Sequence, residues 1–383
     1  MRKLTGLILA LSLSSTPLWA VPLDFGTSFD NAPWIGARAA ALGQALSPNA
    51  NGLDAFYYNP ALIGGLREKS DKPYLTHLFV PYIGNASEDG SNKILTQQLG
   101  GEKLQSDEVW SQLSPAWNGD RPYTALSLTP VFIFNRLMAG YTYKSRTNAY
   151  RDDEDPAGSK LHVESRMMSG PFLGFSAVAP KQDFYLGVSA AYLKTSTMDA
   201  DFDQAAWASE ATRKAVFDTG KMSYEGMPIN IGTHYRFQNL LRPSISAVIN
   251  DMGGTRYSPS DKSKDTQIQE ERLTLGLGIS PQIKSAGTLH VTVEATNLAQ
   301  HAVPSRDKIR ASTEFTFGDR YGADSGGSLR LGYTSAGVSY GAGVNMGILA
   351  IQMASFAEDI GAKTDRVIQR KSVINIGINI ADY

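Results

Sequence analysis

Apolar and polar residues alternate with a period of two along most of the chain. The clearest run is residues 272–280, and runs of the same kind cover residues 289–296 and 309–317. In the first run the apolar positions, followed by the small or polar ones, are Leu273, Leu275, Leu277 and Ile279, then Thr274, Gly276, Gly278 and Ser280. Because successive side chains of a β-strand point to opposite faces, this period predicts strands with one apolar face.

About fourteen segments carry this pattern, which predicts an all-β fold. They are residues 74–83, 121–134, 137–149, 159–179, 183–198, 222–237, 242–252, 272–280, 289–296, 309–317, 327–334, 337–344, 347–357 and 367–381. The connections largely alternate between short ones (135–136, 180–182, 238–241, 284–286 and 345–346) and long ones (84–120, 150–158, 199–221, 253–266, 298–306 and 358–366). Short periplasmic turns and long outer loops are typical of bacterial outer-membrane barrels.

The apolar face has two interpretations, the lipid-facing side of a barrel or the core of a soluble secreted β-sandwich. Beyond residue 20 no apolar run is long enough to cross a membrane as a helix, so a spanning chain requires a closed barrel. Aromatic residues on the apolar phase favour a barrel with interfacial girdles; they are Tyr141, Tyr143, Phe184, Tyr192, Tyr235, Phe315, Phe317, Tyr333 and Tyr340. We predict a closed antiparallel transmembrane β-barrel of about fourteen strands over residues 73–383.

The first twenty residues have the layout of a signal peptide. Arg2 and Lys3 precede an apolar run over residues 4–13, and residues 18–20 suit a cleavage site after about Ala20. Removal of Arg2 and Lys3 moves the formal net charge from −1 to −3, and nothing in this charge predicts a nucleic-acid partner. The chain has no cysteine, which excludes disulfides and thiolate sites.

Residues 36–66 form a compact, alanine-rich segment that does not read as a strand. It contains GARAAALG at residues 36–43 and YYNPAL at residues 57–62. These motifs resemble the N-terminal signature of outer-membrane barrels of the FadL/TodX superfamily, which includes PorV-like secretion barrels and barrels labelled conjugal transfer TraF-like. Later segments that look like hairpins of the same group are LRLGY at 329–333, YGAGV at 340–344 and ASFAEDIG at 354–361.

The resemblance implies a barrel in the outer membrane of a Gram-negative bacterium, with residues 21–72 as an N-terminal plug. It implies passive transport of small hydrophobic compounds, with outer-membrane lipid and the hydrophobic compound as partners. The PorV-like and TraF-like labels imply an alternative, a non-transport scaffold that binds a protein partner in secretion or conjugative transfer. The plug residues expected to gate the ligand are Arg38, Tyr58, Asn59, Pro60 and Ala61.

Local chemistry adds detail to the plug. Asn59 before Pro60 marks either a turn or the cap of a short helix over residues 61–66. Arg38 is a natural partner for Glu294 or Glu314, because a buried unpaired charge is costly. Inward-phase charges either line a solute path or brace the lumen and anchor the plug; they are Lys144, His234, Arg236, His290, Glu294, Arg310, Glu314 and Arg330.

Two further regions are candidates for a ligand route. Pro130 and the pair Gly170 and Pro171 lie inside predicted strands, where proline breaks the ladder, so they mark either a lateral opening or an ordinary bulge. The outer loops hold a candidate capture surface, which is alternatively a lid without ligand. Its residues are Trp110, Phe202, Trp207 and Phe217.

Enzyme chemistry finds no support in the histidines or in the motifs. None of the five histidines (His77, His162, His234, His290 and His301) has metalloprotease spacing, and neither Gly-x-Ser-x-Gly nor a phosphate-binding loop occurs. We therefore predict no catalytic residues, no metal and no cofactor.

Overall fold

The structure is a computed structural model. It describes residues 21–22, 36–69, 74–76, 82–85, 123–152, 159–181, 183–283, 286–301, 303–318, 325–346, 349–359 and 368–380. Its strands are β1 (Val21–Pro22), β2 (Tyr74–Thr76), β3 (Tyr82–Asn85), β4 (Tyr123–Leu128), β5 (Val131–Phe134), β6 (Leu137–Asp152), β7 (Lys160–Val178), β8 (Phe184–Ala191), β9 (Leu193–Phe202), β10 (Lys221–Gly226), β11 (Ile229–Arg236), β12 (Ser244–Asn250), β13 (Thr255–Pro259), β14 (Gln267–Gln269), β15 (Arg272–Ile279), β16 (Gln282–Ile283), β17 (Gly287–Ala295), β18 (Ile309–Gly318), β19 (Ser325–Thr334), β20 (Gly337–Met346), β21 (Leu349–Asp359) and β22 (Ile368–Ile380). The all-β prediction is confirmed.

The strands from β2 to β22 form one antiparallel sheet, called the wall below. Several predicted strands consist of two pieces that lie end to end and share a neighbour; β4 and β5 both pair with β6, and β8 and β9 both pair with β7. The later strands pair in chain order from β17 to β22. The last strand, β22, pairs with β21 on one side and with β2 and β3 on the other.

The two faces of the wall are the reverse of those in a globular core. Along β8, Phe184, Leu186 and Val188 are each 43% exposed, whereas the alternate residues are buried. The buried face elsewhere consists largely of small polar side chains, including Ser127, Thr142, Ser176, Asn230, Ser246, Thr292, Ser312, Ser328 and Ser339. The period of two is thus the one that the sequence predicts, with the apolar side pointing outward.

Residues 36–69, called the plug segment below, are the longer of two described parts of the predicted plug; the other is β1. The plug segment contains α1 (Ala37–Ala41), α2 (Leu53–Tyr58) and a 3-10 helix (Pro60–Lys69). Helices this short depend on tertiary packing, and both α1 and α2 are largely buried against the wall.

Outside the plug segment the described helices are α3 (Gln204–Ala208), α4 (Glu210–Gly220) and a 3-10 turn (Ser305–Lys308). In the part of the chain that the structure describes, no helix combines the length and the apolar character that crossing a membrane requires.

Two connections that the sequence predicts as long loops are shorter in the structure. Residues 199–202 belong to β9 and pair with β7, and the connection 253–266 contains β13, which pairs with β14 directly after the connection. Exposed positions such as Asp199 and Asp201 are acidic, while Ala200 and Phe202 are buried, so the exposed side of the strand is polar there instead of apolar. The wall also bulges at residues 251–254, where the nine residues from Ile249 to Tyr257 face the six residues from Gly226 to Ile231.

Candidate functional site

Glycines on the inner face of the wall allow the backbone of the plug segment to approach closely. A methyl group at Gly187 would lie 2.2 Å from the carbonyl carbon of Pro60, and one at Gly232 would lie 2.2 Å from Asn59 Oδ1. On the far side, a methyl group at Gly332 would lie 2.3 Å from the backbone nitrogen of Gly43. Any larger residue at these positions must displace the plug segment.

We expect Gly187→Ala to loosen the plug segment. The new methyl group would meet backbone atoms, which cannot move aside by a change of rotamer. Overpacking of this kind costs about 1–3 kcal/mol, so the apparent melting temperature in detergent should fall by several degrees. Gly220→Ala is the matched control, since its methyl group would meet nothing closer than 3.5 Å. Equal melting temperatures for the two variants would contradict the close seating of the plug.

Arg38 lies at the centre of a buried ion cluster between the plug segment and the wall. Its Nη2 and Nε donate to Glu314 Oε2 at 2.6 Å and to Oε1 at 3.0 Å. Its Nη1 donates to Asp54 Oδ2 at 3.0 Å, and Arg330 Nε donates to Glu314 Oε1 at 2.7 Å. Two guanidinium groups therefore face two carboxylates, and the predicted partnership of Arg38 with Glu294 or Glu314 is confirmed for Glu314.

Burial opposes charge on the plug side of this cluster. For Arg38, burial acts against the charge, but Glu314 and Asp54 outweigh it and raise the pKa of the guanidinium. For Asp54, burial is the larger influence and raises the pKa of the carboxyl, although Arg38 lowers it. Burial also raises the pKa of Tyr57 to about 12. Each charge in the cluster thus depends on its partner to remain buried.

Asn59 ties the plug segment to itself and to the wall. Its Nδ2 donates to the carbonyl of Ser47 at 2.8 Å and to that of Thr233 at 3.3 Å. Its Oδ1 accepts the N–H of Ala61 at 3.1 Å, so Asn59 caps the 3-10 helix that begins at Pro60. Of the two interpretations of this motif, the helix cap is the one present. Tyr58 is half-buried, whereas Asn59, Pro60 and Ala61 are buried.

Inward hydroxyl and amide groups of the wall bind carbonyls of the plug segment from several sides. The carbonyls of Phe56 and Tyr57 lie at the C-terminal end of α2 and that of Ala45 lies outside a helix, so the wall supplies the donors that a helix does not. The bonds are Ser176 Oγ to Ala61 O at 2.6 Å, Ser189 Oγ to Phe56 O at 3.0 Å, Asn250 Nδ2 to Tyr57 O at 3.0 Å and Ser312 Oγ to Ala45 O at 2.6 Å.

An apolar cavity of about 20 Å³ lies between α2 and the wall. Its lining includes Phe56 and Tyr57 of the plug segment and Met168 and Leu193 of the wall, with Asn230, Asp251, Tyr257 and Gln269 among the remaining residues. A cavity of this volume accommodates roughly one water molecule.

Gly170 and Pro171 lie on β7 near this cavity, opposite Tyr192, which separates β8 from β9. Tyr192 N donates to Pro171 O at 3.0 Å, but Pro171 has no N–H to return the bond. The register is continuous across this point, since Phe172 pairs with Ala191. The ladder therefore lacks one hydrogen bond without a shift of the strands.

Pro130, the other predicted break, lies between β4 and β5. Its carbonyl accepts the N–H of Tyr141 at 3.2 Å, so β6 spans the interruption. The structure thus places Pro130 in the wall at a junction of two strands, and its role in a lateral opening stays a prediction.

The candidate capture residues lie at the end of the wall away from the short turns. Phe202 is fully buried and packs edge-on against Trp207, with ring centroids 5.2 Å apart, in a small cluster with Leu161 and Val163. Phe217 lies in α4, and Trp110 falls outside the described residues. The described side chains thus form a small core under α3 and α4, and a capture role for them stays a prediction.

Apart from Glu314, sequence reasoning missed the wall residues that hold the plug segment. The glycines and serines of the inward phase were recognisable as a small, polar face, but that pattern does not say which of them meet the plug. A close approach between segments so distant in sequence follows only from the folded wall.

Comparison with known proteins identifies the fold. No protein-family model matches the chain, and no curated protein sequence matches it. Among solved structures, the toluene transporter TodX of Pseudomonas putida is similar with a TM-score of 0.52 and 14% identity, over 92% of this chain and 100% of that chain. The monoaromatic hydrocarbon channel CymD is similar with a TM-score of 0.50 and 11% identity, over 92% of this chain and 99% of that chain. The chain therefore has the fold of the FadL/TodX-type outer-membrane barrels.

Proposed function

We propose that the wall is a closed barrel of fourteen strands in the outer membrane of a Gram-negative bacterium. Closure is supported by the pairing of β22 with β2 and β3, which in turn pair with β5 and β4. When the pieces that lie end to end are counted once, fourteen strands remain. The exposed apolar face suits lipid and the polar face suits a lumen. In this account residues 1–20 are the signal peptide, 21–72 the plug and 73–383 the barrel.

The proposed function is passive passage of small hydrophobic compounds, gated by the plug segment. The observation that carries it is the apolar cavity between the plug segment and the wall, beside a point where the wall ladder lacks a hydrogen bond. The names of TodX and CymD, a toluene transporter and a monoaromatic hydrocarbon channel, support a hydrophobic ligand.

Passage requires the plug segment to move. A cavity that admits benzene measures roughly 150 Å³, whereas the apolar cavity here measures about 20 Å³. Phe56 and Tyr57 of α2 form one side of the space, so displacement of α2 and of the residues that follow it widens the cavity. Arg38, Tyr58, Asn59, Pro60 and Ala61 are accordingly the gating residues of the proposal.

In the proposed lateral route, the hydrophobic compound exits between β7 and Tyr192. There Pro171 has no N–H to donate, so the carbonyl of Tyr192 lacks its hydrogen bond in the ladder. We expect Pro171→Ala to restore that bond. At about 1 kcal/mol for one hydrogen bond, lateral exit should slow by about fivefold. The measurement is the initial rate of toluene uptake into proteoliposomes.

Pro243→Ala is the control for this prediction, because Pro243 lies in the connection between β11 and β12, outside the two strands. It should leave the uptake rate unchanged. An unchanged rate in Pro171→Ala as well would remove the lateral exit from the account and leave passage through the lumen.

A second candidate function is a scaffold for a protein partner in secretion or conjugative transfer. The observation that favours it is the tight packing of the plug segment, beside which the two cavities described measure about 20 and 30 Å³. Native mass spectrometry of the detergent-purified protein, beside a variant that lacks residues 21–66, separates the two. A hydrophobic compound retained only by the full protein supports transport, whereas an empty barrel with a stoichiometric protein supports the scaffold.

A further inference from the structure

A second cavity, of about 30 Å³, lies between the plug segment and the wall and plays no part in the proposed hydrophobic route. Gln44, Ser47 and Tyr58 line it from the plug segment, and Arg272, Glu294 and Arg310 line it from the wall. Unlike the first cavity, it is lined mainly by polar atoms. Its volume suits an ion of about the size of one or two water molecules.

Neither guanidinium group in this cavity donates a hydrogen bond to a carboxylate of the described residues, although Glu294 faces Arg310 across β17 and β18. Arg310 has one hydrogen bond to a described residue, from Nη1 to Gln44 Oε1 at 3.2 Å. Arg272 has an ion pair with Asp251 at 3.8 Å, beyond hydrogen-bond distance. Within the described part of the chain, the buried Nε of Arg272 has no hydrogen-bond acceptor. Arg38 and Arg330 differ, because both donate directly to Glu314.

The nearby carboxylates are occupied by other donors. Glu294 accepts the backbone N–H of Ser47. Asp251 accepts the hydroxyl of Thr255 at 2.8 Å and the amide of Gln269 at 2.9 Å. Two guanidinium groups and the carboxylate of Glu294 thus line one polar space, and N–H groups such as the buried Nε of Arg272 are costly to leave without an acceptor unless a further one is present.

We propose that this cavity binds one small inorganic anion of the size of chloride, held by Arg272 and Arg310. The anion accepts the free guanidinium N–H groups and bridges wall strands β15 and β18, close to Gln44 and Ser47 of the plug segment. It is a resident ion that stabilises the seated plug, and it is separate from any transported compound. The inference therefore does not rest on the proposed transport function.

The test is thermal unfolding of the full chain in detergent with chloride replaced by gluconate at constant ionic strength. Gluconate is too large for the cavity. Chloride should raise the apparent melting temperature saturably, by about 2–4 °C, and Arg272→Gln/Arg310→Gln should abolish that response. Arg256→Gln, at an exposed position of β13, is the matched control and should keep it. Equal effects of chloride and gluconate would overturn the proposal, as would a full chloride response in the double variant.

Bromide provides a second measurement on the unmodified protein. It therefore tests the proposal even if the double variant does not fold. Crystals of the unmodified protein grown in bromide should show an anomalous peak within hydrogen-bond distance of both guanidinium groups. Bromide peaks confined to the protein surface would show adventitious binding only and would exclude this site.

Discussion

Arg38→Met should release the plug segment from the wall and give the largest loss of stability of any single change considered. The substitution leaves Glu314 with Arg330, but it removes the one side-chain hydrogen-bond partner that Asp54 has among the described residues. Removing one partner of a buried pair costs about 3–5 kcal/mol. The population with a displaced plug should therefore rise roughly 100-fold or more, and planar-bilayer recordings should show open-pore currents that the unmodified protein rarely shows.

Two further variants give this prediction its controls. Arg306→Met breaks an exposed ion pair with Asp307, whose nitrogen and oxygen lie 3.8 Å apart, and exposed pairs contribute little. It should leave the currents unchanged. Arg38→Met/Asp54→Asn removes the unpaired carboxylate while Glu314 keeps Arg330, so much of the closed state should return. Currents in Arg38→Met no larger than in Arg306→Met would show that the cluster does not hold the plug.

The strands follow from the sequence for a simple reason. A strand with lipid on one side and small polar groups on the other alternates strictly, as residues 272–280 do, and such a pattern needs no tertiary information. The pairing of Arg38 with either Glu294 or Glu314 was also predictable, because a cation inside a folded chain requires a carboxylate and few inward-facing carboxylates are available; only the structure selects Glu314.

The alternation does not predict a strand correctly where the exposed face of that strand is no longer apolar. In the last residues of β9, exposed positions such as Asp199 and Asp201 are acidic, and this part of the sequence then resembles a loop. The second cavity was not predictable from the sequence either, because Arg272 and Arg310 lie on different strands and each alone resembles an ordinary inward-facing charge. Gly187 and Gly232 became recognisable as contact points only when the folded wall placed them against Asn59 and Pro60.

The central claim is that a hydrophobic compound passes only when the plug segment moves, and a reversible crosslink tests it most directly. The chain has no cysteine, so an introduced pair reacts without competition. The hydroxyl oxygens of Ser47 on the plug segment and Ser246 on β12 lie 2.9 Å apart, close enough for Ser47→Cys/Ser246→Cys to form a disulfide with little movement.

The control pair joins two parts of the wall and leaves the plug segment free. The hydroxyl oxygens of Thr274 and Thr296 also lie 2.9 Å apart, so Thr274→Cys/Thr296→Cys should form a disulfide of similar geometry. Toluene uptake is then measured in proteoliposomes before and after reduction, with crosslinking confirmed by mass spectrometry.

The oxidised plug crosslink should lower toluene uptake to the level of empty liposomes, and reduction should restore the uptake. The wall crosslink should have no effect on uptake in either state. Undiminished uptake through a fully crosslinked Ser47→Cys/Ser246→Cys protein would contradict gating by the plug segment.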